Sequence, residues 1–216
     1  MFKTVLLDLD GPLLDGKYRH FKCYQDILVQ YGFEPMPIEA YWQMKRERQD
    51  RHKQLAVSGA GSIYPEFLEY WMQHIEEKDY LVLDQLQPKA LAVLEAWKSK
   101  KIEVILVTMR NEKDNLISQL DSVGLLPFLD HVVAVGTSKG VKGKASAASE
   151  FIDLNDKESV LWVGDTETDI WAARELGVKV CAVECGLRSS EYLVSLGPDY
   201  LVSDLVALNA LEGFLL

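Results

Sequence analysis

The sequence has few cysteines, no long uninterrupted hydrophobic run and a shortage of basic residues. Its 216 residues include three cysteines, Cys23, Cys181 and Cys185, and their spacing is not that of a zinc site or a disulfide framework. No signal-peptide pattern marks the start of the sequence. We therefore expect a reduced protein of the cytoplasm.

The shortage of basic residues limits the partners that the protein can have. The sequence contains 23 Lys and Arg against 33 Asp and Glu, which gives a formal net charge of −10. This sign argues against nucleic acid or an anionic membrane as the main partner. The apolar segment 201–216 is interrupted by Asp204, Asn209 and Glu212, so it predicts an amphipathic terminal helix instead of a membrane span. A small anionic substrate stays compatible, because a local cation can override the overall charge.

Two types of segment divide the sequence. The part after the first strand predicts helices only, at residues 18–31, 37–57 and 64–78. From residue 88 onward helices alternate with short apolar strands, which we place at 104–108, 132–135, 160–164 and 179–183. The intervening helices are expected at 88–100, 112–123, about 143–153 and 168–176. Near-continuous apolar strands separated by helices indicate a parallel sheet covered on both faces. The sequence thus predicts an α/β core, residues 1–15 and 84–216, with an inserted helical domain, residues 16–83.

The first strand ends in two aspartates on alternate positions, Asp8 and Asp10. Residues two apart in a strand point to the same side, and two neighbouring carboxylates resist joint ionisation unless a cation lies between them. Oxygen ligands of this kind suit Mg²⁺. Thr108, the lysine-rich segment 139–144 and Asp165 also follow predicted strands, and parallel sheets bind ligands at the carboxyl ends of their strands. These residues predict a joint site for a metal and a phosphate.

Four segments in this order resemble the motifs of the haloacid dehalogenase-like superfamily. They are Asp8-Leu9-Asp10-Gly11, Val107-Thr108, Lys142 within Lys-Gly-Lys, and Gly164-Asp165-Thr166-Glu167-Thr168-Asp169. The helical insertion between the first two is similar to the small helical cap of the phosphoglycolate-phosphatase-like branch. The resemblance implies a Rossmann-like parallel sheet with an inserted α-helical cap, and Mg²⁺ as the cofactor.

The resemblance also implies roles for the four aspartates. Asp8 is expected to attack phosphorus and form an aspartyl-phosphate. Asp10 is expected to exchange a proton with the leaving group and with water, while its backbone carbonyl joins Asp8 and Asp165 as a ligand of Mg²⁺. Asp169, one helical turn after Asp165, is expected to act through water or by orienting its neighbours.

A further set of residues is expected to bind phosphate or the rest of the substrate. The set is Thr108, Met109, Arg110 and Lys142. Thr108 and the lysine would hold the phosphoryl oxygens. Lys142 is favoured because Lys142-Gly143-Lys144-Ala145 resembles the lysine-glycine-x-alanine form of the third motif, but Lys144 and Lys139 stay open as alternatives. Arg110 suits a carboxylate or a second phosphate of the substrate, or is a surface residue.

One position departs from the family pattern. Pro12 stands where the family usually has threonine, so a hydroxyl and a backbone donor are lost, and we expect this loss to loosen Asp10. The sequence predicts a Mg²⁺-dependent phosphatase of a small phosphorylated metabolite, acting as a monomer or a homodimer. The alternatives are a phosphoglucomutase-like phosphotransferase and a non-catalytic protein that binds a phosphorylated metabolite.

Overall fold

The structure, a computed structural model, describes residues 2–211 and divides them into two compact units. The first unit consists of the described residues of Met1–Asp15 and Leu86–Leu216. The second unit is the segment between them, Gly16–Gln85. Each unit has a hydrophobic core of its own.

The first unit is built on a sheet of parallel strands. In chain order the strands of the protein are β1 (Thr4–Leu7), β2 (Leu14–Asp15), β3 (Gln85–Leu86), β4 (Glu103–Thr108), β5 (His131–Ala134), β6 (Val160–Gly164), β7 (Lys179–Val183) and β8 (Tyr200–Val202). Six of them form the sheet, in the order β5-β4-β1-β6-β7-β8, and their pairings are parallel. Leu7 of β1 is in register with Leu106 of β4 and with Val163 of β6. The three central strands therefore end side by side.

Helices make up most of the remaining structure. Those of the second unit are α1 (Lys17–Gln30), α2 (Ile38–Arg46), α3 (Arg51–Val57), α4 (Tyr64–His74) and α5 (Lys78–Leu81). Those of the first unit are α6 (Ala90–Ser99), α7 (Lys113–Ser122), α8 (Gly140–Ser149), α9 (Glu167–Leu176), α10 (Ser190–Leu196) and α11 (Leu205–Asn209). Short 3-10 turns lie at Gly61–Ile63, Leu126–Phe128, Thr137–Lys139 and Lys157–Ser159.

The sheet is buried on both faces. Leu7 packs on one face against residues of α6 and α7 such as Trp97 and Leu116. Leu6, which points to the other face, packs with residues of α8 and α9 such as Ala145 and Ile170. Successive residues of β1 thus enter different cores, which explains why the strands lack polar alternation. The predicted fold class, a parallel α/β sheet with a helical insertion, is confirmed.

The helix predicted at 37–57 is two helices. The chain leaves α2 after Arg46, and Arg48 adopts a positive φ of 58°, a left-handed conformation that does not continue a helix. Asp50 then begins α3 by accepting a hydrogen bond of 2.9 Å from the backbone of Lys53. The charged run therefore contains a helix stop and an N-cap that the sequence interpretation missed.

The terminal helix predicted at 201–216 was too long. The described part of this segment continues the strand Tyr200–Val202 and then forms the helix Leu205–Asn209. Asp204 caps this helix, because its side chain accepts a hydrogen bond of 2.8 Å from the backbone of Ala207. The prediction for residues 212–216 lies outside the described residues.

The second unit is a helical domain with an aromatic core. Tyr24 and Tyr41 stack with ring centroids 4.5 Å apart, and Phe67 and Trp71 complete the cluster.

None of the helices among residues 2–211 combines the length and the apolar character that crossing a bilayer requires.

Candidate active site

Three aspartates converge at the carboxyl ends of the central strands. Asp8 directly follows β1, Asp165 directly follows β6, and Asp169 lies in the first turn of α9. The backbone N–H of Asp8 donates to the carbonyl of Val163 at 2.9 Å, which extends the parallel pairing to this point. The three carboxylates are buried, and each offers an oxygen within 4.8 Å of the others. Sheet register thus brings together the residues of the first and fourth motifs, as expected for strand ends on one edge.

A buried lysine neutralises part of this acidic cluster. Lys144 of α8 donates from Nζ to Asp8 Oδ1 at 2.9 Å and to Asp169 Oδ1 at 2.7 Å, and 2% of its side chain is exposed. Burial by itself would lower the pKa of the lysine, but the charges and hydrogen bonds of Asp169 and Asp8 outweigh burial and raise it. Lys144 is therefore held as an ammonium ion beside Asp8.

The position of Lys144 favours this lysine, one of the three candidates, over Lys142. Helix α8 begins at Gly140, three residues earlier than predicted, so both lysines lie inside it. Two positions along a helix differ by about 200° around its axis. Lys144 shares the buried face with Ala145 and Ala148, whereas Lys142 and also Lys139 are exposed. Among the three candidates, the structure brings Lys144 to Asp8.

Asp169 has hydrogen-bond partners on both oxygens. Besides Lys144, its Oδ1 accepts a bond of 3.2 Å from the indole N–H of Trp162. Its Oδ2 accepts from the backbone and the hydroxyl of Thr166, at 3.2 and 2.8 Å. Thr166 and Asp169 form the capping box that begins α9. Asp169 is thus fixed in a position from which it orients Lys144.

Asp165 differs from Asp169, because one of its oxygens is open. Its Oδ2 accepts a hydrogen bond from the backbone of Leu187, but no group among the described residues hydrogen-bonds its buried Oδ1. Two glycines, Gly11 with a φ of +99° and Gly186, lie directly against this carboxylate. A Cβ added at Gly11 would be 2.2 Å from Asp165 Cγ, and one added at Gly186 would be 2.0 Å from Asp165 Oδ2. A buried carboxylate oxygen without a donor, next to Asp8, fits a hard divalent cation.

The electrostatics of Asp8 and Asp165 fit such a cation as well. Burial, followed by the charge of Asp169, raises the pKa of Asp8 to about 7 against the opposing effect of Lys144. Burial, followed by the charges of Asp169 and Asp8, raises the pKa of Asp165 well above its usual range. Two carboxyls that resist ionisation beside one another become favourable as anions when a cation lies between them.

Asp10 lies at the rim of the site and is held by Arg110. The guanidinium donates from Nε to Asp10 Oδ2 and from Nη2 to Asp10 Oδ1, both at 2.8 Å. The side chain of Arg110 is 5% exposed and that of Asp10 is 35% exposed. The sequence placed both residues at the site, and the structure pairs them with each other.

Thr108 and Met109 lie beside the first motif. Thr108 is the buried last residue of β4, and Met109, half-buried, follows it. Because Leu106 of β4 is in register with Leu7 of β1, Thr108 is placed along the segment from Asp8 to Asp10. The site residues expected from the sequence are therefore on one edge of the sheet, with Lys144 in the place intended for Lys142.

Sequence reasoning missed residues that support the site from a distance along the chain. Arg188 and Glu167 form two hydrogen bonds, of 2.7 and 2.9 Å, which tie the loop containing Leu187 to the start of α9. Gln87 donates to the backbone carbonyls of Gly11, at 2.9 Å, and Cys185, at 3.3 Å. Glu167 is part of the fourth motif, but nothing local indicated which partner each of these residues would have.

Comparisons with known proteins agree with this geometry. A family model described as haloacid dehalogenase-like hydrolase matches residues 5–183. A phosphoglycolate phosphatase of Synechococcus elongatus is 25% identical, with 93% of this chain and 92% of the relative covered. A pyrophosphatase PpaX of Halalkalibacterium halodurans is 23% identical, with 97% and 96% covered.

Solved structures show the same fold. A haloacid dehalogenase-like family hydrolase from Streptococcus pneumoniae superposes with a TM-score of 0.76 at 19% identity, and the match covers 97% of each chain. The family and the hydrolase class predicted from the four motifs are confirmed. With its motifs gathered at the ends of β1, β4 and β6 and a family match over most of its length, the chain belongs to the haloacid dehalogenase-like hydrolases.

Proposed function

We propose that the protein is a Mg²⁺-dependent phosphatase that hydrolyses the phosphate monoester of a small metabolite through an aspartyl-phosphate on Asp8. The observation that carries the proposal is the environment of Asp8, which lies between the ammonium of Lys144 and the open carboxylate oxygen of Asp165. Relatives named phosphoglycolate phosphatase and pyrophosphatase support a phosphatase.

In the first step a carboxylate oxygen of Asp8 attacks phosphorus. The bond between phosphorus and the leaving oxygen breaks with its electron pair, and Asp10 supplies the proton that this oxygen takes up. Lys144 and Thr108 bind the phosphoryl oxygens as negative charge spreads over them. In the second step Asp10 takes a proton from water, which attacks phosphorus and releases Asp8 and inorganic phosphate.

The residues that would hold the cation are Asp8, the backbone carbonyl of Asp10, and Asp165. A bound Mg²⁺ would neutralise charge on the phosphoryl group and keep the nearby carboxylates ionised. Asp169 contributes indirectly, because its bonds to Lys144 and Trp162 fix the ammonium beside Asp8. Met109 and Arg110 are proposed to lie next to bound substrate, and the helical unit, Gly16–Gln85, to act as the cap.

The test is release of inorganic phosphate by the purified protein. Substrates are p-nitrophenyl phosphate and a panel containing phosphoglycolate, pyrophosphate, GMP, IMP and sugar phosphates, since curated relatives include two phosphatases and a GMP/IMP nucleotidase. Each is measured with Mg²⁺, with EDTA and with Asp8→Asn. We expect release that requires Mg²⁺ and falls on the order of 10³-fold or more in the variant.

The matched control is Asp153→Asn, which changes an exposed aspartate in the same unit. This variant should keep wild-type activity. Absence of Mg²⁺-dependent release above the Asp8→Asn background on every substrate would overturn the proposal and favour a non-catalytic binding protein.

A further inference from the structure

The side chain of Asp10 is bonded by a nearly buried arginine. Arg110 offers two neighbouring N–H groups to the two oxygens of Asp10, each at 2.8 Å. A two-bond pair of this kind fixes the plane of the carboxylate as well as its distance. Because the arginine is 5% exposed while the aspartate is 35% exposed, the buried partner sets the position of the one at the rim.

The backbone around Asp10 is fixed without help from Pro12. In the turn after Asp10, the backbone N–H of Gly11 donates to the carbonyl of Leu14 at 2.8 Å. The N–H groups of Leu13 and Leu14 donate to the carbonyl of Leu9 at 3.2 and 3.0 Å. Pro12 lies between these donors, so its missing N–H removes none of the bonds. What a proline at this position cannot supply is a side-chain hydroxyl to hold a neighbouring carboxylate.

We propose that Arg110 is the positioning residue of Asp10: it holds the carboxylate in the orientation needed for proton exchange with the leaving oxygen. This inference rests on the proposed function, in which Asp10 exchanges that proton. Arg110 acts through Asp10, because the Nε and Nη2 groups on one edge of its guanidinium both donate to that carboxylate.

This role predicts a dependence on the leaving group. An alkyl phosphate releases a basic alkoxide that needs a proton, whereas p-nitrophenyl phosphate releases a stable phenolate that needs none. A misplaced Asp10 therefore slows formation of the aspartyl-phosphate, which kcat/KM reports, more for the first class than for the second. The second step, in which Asp10 takes a proton from water, is slowed equally for both. In Arg110→Met we expect kcat/KM for the best alkyl phosphate of the panel to fall about 10- to 100-fold.

Other kinetic values should change little. For p-nitrophenyl phosphate the fall in kcat/KM should stay below about threefold, because its leaving group needs no proton in the first step. Arg110→Lys should restore part of the loss, since an ammonium keeps the charge but not the paired geometry. Guanidinium ion added to Arg110→Met should also restore part of it.

The decisive measurement is a double-variant cycle with Asp10→Asn. If Arg110 acts through Asp10, Arg110→Met should cause no further loss of kcat in the Asp10→Asn background. Additive losses, a rise of KM with unchanged kcat, or an equal loss of kcat/KM on both substrates would each overturn the proposal. Arg174→Met is the matched control, because Arg174 likewise donates twice, to the backbone carbonyls of Leu196 and Gly197, and is exposed.

A structural measurement separates failure of this inference from failure of the proposed function. In a crystal structure of Arg110→Met, the Asp10 carboxylate should leave its wild-type orientation, whatever the activity of the protein. An unchanged Asp10 side chain would overturn the positioning role even if the phosphatase activity is established. A displaced Asp10 in a protein without phosphatase activity would leave the pairing correct and the proposed function wrong.

Discussion

Asp8 and Asp10 are two residues apart, yet their surroundings differ in every respect that matters for reactivity. Asp8 lies in the interior, where it contacts an ammonium and has oxygens of two further carboxylates within 4.8 Å. Asp10 lies at the rim, about one-third exposed at 35%, and contacts a guanidinium on both oxygens. The same residue type is thus placed once in a buried acidic cluster and once beside a guanidinium at the rim.

The difference teaches that environment separates the two roles. A buried carboxylate beside a lysine and an open cation position suits attack on phosphorus, because its charge is neutralised on more than one side. A carboxylate at the rim, partly exposed to solvent, suits proton exchange with a leaving oxygen and with water. In the proposed mechanism two aspartates with different environments take two chemical roles, a pattern found in other hydrolytic sites.

We call Asp8, Asp165, Asp169 and Lys144 the interior half of the site. Lys144→Met should disrupt it more than any other change considered. It leaves Asp8 and Asp169 buried without the cation that compensates them, and breaking a buried pair in this way costs roughly 3–5 kcal/mol. We expect a loss of that size in the free energy of unfolding, measured by urea denaturation in EDTA, together with loss of phosphatase activity. Lys142→Met, on the exposed face of α8, should stay within about 0.5 kcal/mol. The reverse ranking would return the role to Lys142.

Asp10→Asn should affect mainly the rim of the site, Asp10 and Arg110. Asn keeps one oxygen for Arg110 but removes the charge that compensates a guanidinium only 5% exposed, so the free energy of unfolding should fall by about 1–3 kcal/mol. Turnover of an alkyl phosphate should fall about 10²- to 10⁴-fold, because proton transfer is lost. Thermal unfolding and steady-state kinetics on the same preparation check both. A loss of stability similar to that of Lys144→Met would show that the two halves are not separate.

Much of the fold could be predicted because its strands are buried on both faces. The apolar runs at 160–164 and 179–183 coincide with β6 and β7. Their order along the chain, alternating with helices, was sufficient to predict a parallel sheet with its site at the strand ends. The four aspartates could be identified in the same way, since each one lies at a strand end or in the helix turn that follows.

What could not be predicted depends on helix phase and on partners far apart in the chain. Lys142 was favoured on a motif resemblance, whereas the face of α8 on which each lysine lies follows only from the helix that begins at Gly140. Arg110 is 100 residues from Asp10, and no local pattern indicates such a pair. The sequence predicted that Pro12 would loosen Asp10. That prediction did not include Arg110, which follows a different strand and binds the Asp10 carboxylate.

The interior half also predicts how stability depends on pH without a metal ion. The pKa of Asp8 is raised to about 7 and that of Asp165 is also raised, so the folded protein holds protons that the unfolded chain releases near pH 4. Stability is therefore greatest below the unfolded pKa and declines as pH rises toward 7, by up to about 1.4 kcal/mol per pH unit for each proton. The lowered pKa values of Asp130 and Asp199 act only below about pH 4.

Denaturation in EDTA between pH 4 and 7 checks this dependence. Mg²⁺ should reduce the decline, because it favours the ionised carboxyls, and Asp8→Asn should remove part of it. An unfolding free energy in EDTA that is flat or rises over this range would contradict the assignment of raised pKa values to the interior half.

Trp162→Phe should produce the smallest effect, and it sharpens the comparison within the interior half. The change removes the 3.2 Å hydrogen bond that the indole N–H donates to Asp169 but leaves the bond from Lys144. The free energy of unfolding should therefore fall by about 1 kcal/mol, and kcat should fall a few-fold as Lys144 loses orientation. Trp97→Phe is the control, because Trp97 is also fully buried and donates to Asn209 at 3.0 Å on the other face of the sheet. Both variants should lose similar stability by thermal denaturation, but only Trp162→Phe should lose turnover. Equal turnover in the two variants would show that Asp169 holds Lys144 without help from the indole.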